Sequence, residues 1–287
     1  MSGGRPPLHP GPRTPLTNRT TGYVDPAYLD AAARLAARAK RLSYERMRPR
    51  PGAAVLDVGC GPATDTLALA RRVAPGGRVV GVDHDPEMVA EAERRAASAG
   101  LGGEVEHRLA DACALPFPDG AFDAARCERL FLHLAKPERA LEEMVRVVRP
   151  GGRVVVLDTD WGTRSVDAPE PELERRMARV LAEACLANGY SGRRLYGMAK
   201  RAGLQRVRAD AVPLQVTDYT LWSLLSRMEV AAEVAVQSGA LSRAEVERLD
   251  AGWRRMDAAG EFFALTVLVV VAGDRGRTPA GKEPWSS

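Results

Sequence analysis

The run Ala53–Val58 is apolar except for Asp57, and it passes without a linker into Gly59-Cys60-Gly61. A short, nearly continuous apolar stretch of this kind reads as a strand buried on both faces. Helical spacing follows from Thr64 to Val73 and stops at Pro75-Gly76-Gly77. The unit then repeats. Strands are predicted at Arg78–Val82, Glu104–Ala110, Phe122–Arg126 and Val154–Asp158. Helices are predicted from Pro86 to about Ser98 and from Pro137 to Val148. Strands alternating with helices pair in parallel through right-handed crossovers, so the class is α/β with an open, doubly wound sheet. A ligand site belongs at the carboxyl ends of such strands.

The remainder of the 287 residues is less regular. Residues 1–20 are rich in Pro, Gly, Arg and Thr and read as a disordered tail. Residues 21–50 read as an N-terminal helical cap, with Leu29, Ala32, Ala33, Leu35, Ala36 and Ala39 at helical spacing before Pro49 and Pro51. The domain is expected over 51–274. Helical insertions are expected near 160–203 and 217–260, from helices over 171–188, 194–202, 221–237 and 243–259. Gln205–Pro213 alternates weakly as a strand does, and residues 262–272 form a strongly apolar final strand. Residues 275–287 read as a flexible tail.

Composition excludes several classes. With 45% hydrophobic and 27% charged residues the chain has the material for a core. No stretch approaches the roughly 18 apolar residues of a membrane span, and the N-terminus lacks the apolar region of a signal peptide. Cys60, Cys113, Cys127 and Cys185 show no Cys-x-x-Cys spacing, so neither a disulfide framework nor a zinc site is expected. His84 between Asp83 and Asp85 lacks a partner at helical spacing, so no metal is assigned. These features predict a soluble, cytoplasmic protein. The net charge of +4 permits a polyanion without requiring one. Arg34, Arg38, Lys40, Arg41, Arg46, Arg48 and Arg50 read as a solvated helix face or, alternatively, a phosphate-binding face.

Gly59 and Gly61 let a ligand approach the backbone where the strand ends. Two details oppose a dinucleotide. Thr64 stands where the third glycine of that motif would be, and Asp57 beside the loop would repel a pyrophosphate while welcoming a cation. Asp83 ends the second strand about 20 residues after the loop, where an acid can accept both hydroxyls of a ribose. Met88 can pack on an adenine face, and Asp111 after the third strand can accept from an exocyclic amine. Each acid alone reads equally as a helix N-cap.

The runs VLDVGCGPATDT, VVGVDHDPEMV and ADACALPFPDGAFDAARCERLFLHLAKPERALEEMVRVVRPGGRVVVLD together resemble class I S-adenosylmethionine-dependent methyltransferases. They are similar to the small-molecule branch with menaquinone/ubiquinone-type and natural-product enzymes. The resemblance covers about residues 51–160. It implies a seven-stranded, mostly parallel Rossmann-like sheet with an antiparallel last strand, and S-adenosylmethionine as cofactor. It implies Asp57, Gly59 and Gly61 at the methionine end, Asp83 on the ribose, and Asp111 with Ala112 at the adenine. Cys127 and Glu128 would lie under the transferring methyl. His84 departs from the apolar residue usual there, but an imidazole also stacks on adenine.

Methyl transfer needs alignment and, for many acceptors, removal of a proton. His133 is the candidate base, or else a capping residue. Arg129 can meet a carboxylate of cofactor or substrate, or pair with Glu138. Asp160 and Trp161 fall on the acceptor side. Tyr23, Tyr28 and Tyr44 either close over the ligand or pack in a helical core. Leu221, Trp222, Leu224, Leu225 and Met228 suggest an apolar acceptor, a dimer surface or plain core. The expected activity is methylation of a small, fairly apolar metabolite at oxygen, nitrogen or carbon. A cyclase-like protein that binds the cofactor without transfer, and a nucleic-acid methyltransferase, are the alternatives. No nucleic acid or membrane partner is favoured, and a homo-oligomer is possible.

Overall fold

The computed structural model describes residues 32–277. The predicted tail over 1–20, the start of the N-terminal cap with Tyr23 and Tyr28, and the last residues from 278 lie outside it. The elements are α1 (Ala37–Met47), β1 (Ala54–Val58), α2 (Thr64–Val73), β2 (Arg78–Asp83), α3 (Pro86–Ser98), β3 (Val105–Leu109), β4 (Phe122–Glu128), α4 (Pro137–Val147), β5 (Val148–Val166), α5 (Pro171–Glu183), α6 (Ser191–Arg201), β6 (Gln205–Val216), α7 (Tyr219–Ser226), α8 (Met228–Gln237), α9 (Arg243–Ala258) and β7 (Ala264–Asp274).

The seven strands form one Rossmann-like sheet in the order β3-β2-β1-β4-β5-β7-β6. β1 pairs in parallel with β2 and β4, β2 with β3, and β4 with β5, while β7 runs antiparallel to both β5 and β6. Alternate residues feed opposite faces, as the two-residue period of a strand requires. Leu56, Val58, Val80, Val82, Val154 and Val156 pack on one side with Leu141, Met144 and Met198. Val55, Val79, Val155, Leu157, Leu268 and Val270 pack on the other with Tyr44, Met47, Leu69 and Val73. A third cluster, with Met177, Leu181, Trp222 and Trp253, gathers the helices inserted after β5 and β6.

Three boundaries differ from the sequence expectation. β5 extends well past Asp158, because antiparallel pairing with β7 continues after its parallel pairing with β4 ends at Leu157. The helix expected over 171–188 stops at Glu183, and the chain turns through Asn188-Gly189. A Cβ on Gly189 would sit 2.1 Å from the carbonyl oxygen of Ala182, so this turn requires glycine. The helix expected over 221–237 is two helices, broken at Arg227, which has φ 50° and ψ 48°. No glycine or proline marks that break.

Candidate active site

The loop after β1 is fixed by backbone bonds to the neighbouring strand. The N–H groups of Gly59 and Cys60 donate to the Val82 carbonyl at 2.8 and 3.0 Å. Gly59 (φ 71°) and Gly61 (φ 51°) occupy the left-handed region, which glycine enters without penalty. A Cβ at Gly61 would meet nothing within 4 Å, so this backbone faces open space. Ala63, just before Thr64, is also left-handed at φ 70° and is fully buried.

A buried charged layer lies beside the loop. Arg126 on β4 has no exposed surface. Its Nη1 lies 3.3 Å from Asp57 Oδ1 and 3.1 Å from Asp65 Oδ2, and its Nη2 donates to Glu128 Oε2 at 2.8 Å. Lys40 of α1 reaches Asp65 at 2.6 Å and Glu128 at 2.8 Å. The Tyr44 hydroxyl donates to Asp65 Oδ1, and Arg129 lies 3.4 Å from Glu128 Oε1. Burial pushes both Asp57 and Asp65 up. At Asp65 the charges of Arg126 and Lys40 outweigh burial and hold the carboxyl well below the ordinary range. At Asp57 burial prevails over Arg126, and the carboxyl rises to about 7.

This layer forms one wall of a cavity of about 320 Å³. Asp57, Gly59, Cys60, Gly61, Pro62, Thr64, Asp65 and Glu128 line one end. Ala32, Ala33, Leu35, Ala36 and Lys40 lie along the N-terminal helical segment. Leu214 and Leu268 come from the sheet, and Leu181, Cys185, Leu186, Trp222, Leu225, Ser226 and Arg227 from the inserted helices. Arg129, Leu132, His133, Thr159, Trp161, Ala187 and Thr266 complete the lining.

His133 sits on a single 3-10 turn, Phe131–His133. That turn is clamped from two sides. Asp158 Oδ2 accepts from Leu132 N at 2.8 Å and from Ser191 Oγ at 2.9 Å. Asn188 donates its side-chain amide to the Phe131 and Leu134 carbonyls at 3.1 and 2.5 Å, and its backbone N–H to Leu132 O at 2.9 Å. The imidazole keeps an exposed face. Removal from water, with Arg129, Arg227 and His84 adding positive charge, pushes its pKa down to about 4. It is therefore neutral at physiological pH.

Of the residues singled out in the sequence, Asp57, Gly59, Gly61, Glu128, Arg129, His133 and Trp161 line the cavity together. Asp83 stands just outside, where Oδ2 accepts from Gly61 N at 2.9 Å and Oδ1 from Asp85 N at 3.1 Å. His84 is exposed, with Nδ1 3.3 Å from Asp83. Met88 and Ala112 are buried, and Asp111 is exposed, accepting from Cys113 N at 2.8 Å. Cys127 does not reach the cavity. Strand alternation sends Arg126 and Glu128 to one face of β4 and Cys127 to the other, into the core with Leu56 and Val58. Asp160 is turned away too, accepting from Arg193 at 2.5 Å. Tyr44 lies behind Asp65. Tyr23 is outside the described residues.

Lys40, Asp65, Arg126 and Arg227 were not among the sequence candidates for the site. Lys40 and Arg46 depart from the reading of their helix as a purely solvated face. Lys40 points inward, and Arg46 pairs with Asp210 at 2.7 Å.

Comparison with known proteins places this geometry among its relatives. A methyltransferase domain family matches residues 55–152. An uncharacterized 37.1 kDa protein in transposon Tn4556 of Streptomyces fradiae is 37% identical over 247 residues, 85% of this chain and 70% of that protein. The demethylmenaquinone methyltransferase of Thermus thermophilus is 44% identical over 147 residues, 51% of this chain and 61% of the relative, so the match spans less than two thirds of it. Among solved structures, a putative methyltransferase from Bacillus halodurans superposes with a TM-score of 0.60 at 15% identity, covering 83% of this chain and 98% of the other.

Proposed function

We propose that this chain, a class I S-adenosylmethionine-dependent methyltransferase, methylates a small, largely apolar acceptor held between the sheet and the inserted helices. The observation that carries this reading is one cavity whose lining combines glycine backbone and carboxylates from the loop after β1 and the end of β4 with leucine, alanine and tryptophan side chains from the sheet and the helices.

The residues fit the family's cofactor, S-adenosylmethionine. Gly61 leaves open space at the backbone, and the carboxyl groups of Asp57 and Glu128, which line the cavity beside the loop, offer acceptors to a ligand's ammonium group. When bound, the cofactor supplies a methyl group already attached to a good leaving group. We assign Asp57, Glu128 and Arg129 to the methionine end. Asp83 takes the ribose hydroxyls, Asp111 and Ala112 the adenine edge, and His84 and Met88 its faces. Cys127 acts from beneath, as packing. The chain's own work is alignment and exclusion of water, which accounts for much of the acceleration of an in-line displacement. His133, neutral and facing the cavity, takes the proton of the acceptor where one must leave. Trp161 forms an acceptor wall. Tyr44 and Asp160 act at one remove, through Asp65 and Arg193.

Titration calorimetry with S-adenosylmethionine and S-adenosylhomocysteine beside NADH tests the reading. Binding of the first two alone is expected, and Asp83→Ala is expected to abolish it. Wild-type affinity in that variant overturns the cofactor assignment. Acceptor turnover without gain of a methyl mass overturns the transfer.

A further inference from the structure

Arg227 is the single residue between α7 and α8, serving as C-cap of one and N-cap of the other. Its left-handed backbone costs a side chain with a Cβ about 1 kcal/mol or more, yet the position is neither glycine nor asparagine. Strain of this sort persists where the surroundings enforce it, and it gathers at ligand sites. Here the kink turns the chain at the cavity wall, immediately after Trp222, Leu225 and Ser226, which line it together with Arg227.

Arg164, next to Met228 and over the Trp222 ring, is fully buried, 4.0 Å from Glu174, and does not line the cavity. The other cations nearby are committed. Lys40 and Arg126 hold the buried carboxylates, Arg129 lies against Glu128, and Arg193 is on Asp160. Among the described residues the Arg227 guanidinium has no hydrogen-bond or ion-pair partner, and Glu229 nearby makes no ion pair with it. Its charge acts inward all the same, disfavouring protonation of His133 and favouring ionisation of Cys185, both cavity residues. The helix that starts there, α8, has no side-chain cap, so its positive end lies at the same place. The lining that Arg227 shares is largely apolar, with Leu181, Leu214, Trp222 and Leu268 part of it.

We propose that the acceptor is an apolar acid, with its hydrophobic body in the cavity and a carboxylate or phosphate end on Arg227. The proposal rests on the reading of the cavity as a methyl-transfer site and narrows its acceptor class. A cation at the mouth also complements the chemistry within, since a negative acceptor is attracted to a positively charged methyl donor.

The test is calorimetry on the full chain, with and without saturating S-adenosylhomocysteine, using decanoate, decyl phosphate and decan-1-ol as probes. One or both acids are expected to bind at least about tenfold more tightly than the alcohol. Arg227→Gln is expected to remove that advantage while leaving affinity for the alcohol and for S-adenosylhomocysteine unchanged, and Arg227→Lys to restore part of it. The better acid identifies the headgroup. Equal binding of acid and alcohol, no binding of either, or an acid preference that survives Arg227→Gln overturns the proposal. Failure of S-adenosylhomocysteine to bind overturns the cofactor reading instead, and the titrations without it judge Arg227 separately.

Discussion

The Lys40 ammonium lies 2.6 Å from the Asp65 carboxylate and so ties α1 to the first turn of α2. The same ammonium reaches Glu128 at the end of β4. One side chain thus joins the N-terminal helix, the glycine loop and the central sheet. Lys40→Met leaves three buried carboxylates, Asp57, Asp65 and Glu128, to share Arg126. Breaking a buried pair by removing one partner costs about 3 kcal/mol, and urea unfolding is expected to show a loss of that order. Arg46→Gln, which breaks the more exposed pair with Asp210, is expected to cost less than about 1 kcal/mol.

His133 titrates at about 4 in the folded chain and near 6.5 when unfolded. Between these values the unfolded chain binds more protons, so this group lowers stability as pH falls through that window. As a base it stays neutral well below pH 6. The kcat at saturating cofactor is therefore expected to show no acid limb from His133 until about pH 4. His133→Ala is expected to lower kcat by about 10²–10³ with affinity for S-adenosylhomocysteine unchanged.

Asp158 behaves oppositely. Burial raises its carboxyl to about 7, against the hydrogen bonds from Ser191, Thr159 and Leu132. The native state then holds a proton that the unfolded state has released above about pH 4. The stability this group contributes is present below that pH and is lost as pH rises through about 7. Asp158→Asn is expected to flatten this slope, read as the difference between urea midpoints at pH 5 and pH 8.

Arg227→Gly and Arg227→Ala remove the same charge but differ in backbone freedom. Only glycine relieves the left-handed strain. The glycine variant is expected to be more stable than the alanine variant by about 1 kcal/mol, measured as a shift in Tm. Equal stabilities would mean that the kink costs nothing.

Much of the architecture was legible because it is written in short-range signals. The apolar run into Gly59 and Gly61, the proline-glycine stops, and the acids at Asp57 and Asp83 need no knowledge of distant contacts. The final apolar strand reads off equally directly. The charged layer does not. Nothing local distinguishes Lys40 from the arginines around it, since its inward direction is set by Asp65 and Glu128 on other elements. Arg126 in the middle of β4 is polar at a fully buried position, against the usual pattern, and only its three carboxylates explain it. The break at Arg227 carries no turn residue. The two strained arginines at the cavity, Arg129 (φ 49°) and Arg227, had no signal in composition or period.

β7, which comes after every other strand in the chain, is inserted between β5 and β6. On the ribosome, β6 emerges with no partner to receive it, because its ladder in the sheet is with β7 alone. That half of the molecule cannot close until residue 274 has left the exit tunnel. Until then β5 and β6 both present open strand edges, the kind of surface that recruits chaperones or a second nascent chain. The glycine-loop half has no such delay, so vectorial synthesis divides one continuous sheet into an early part and a late part.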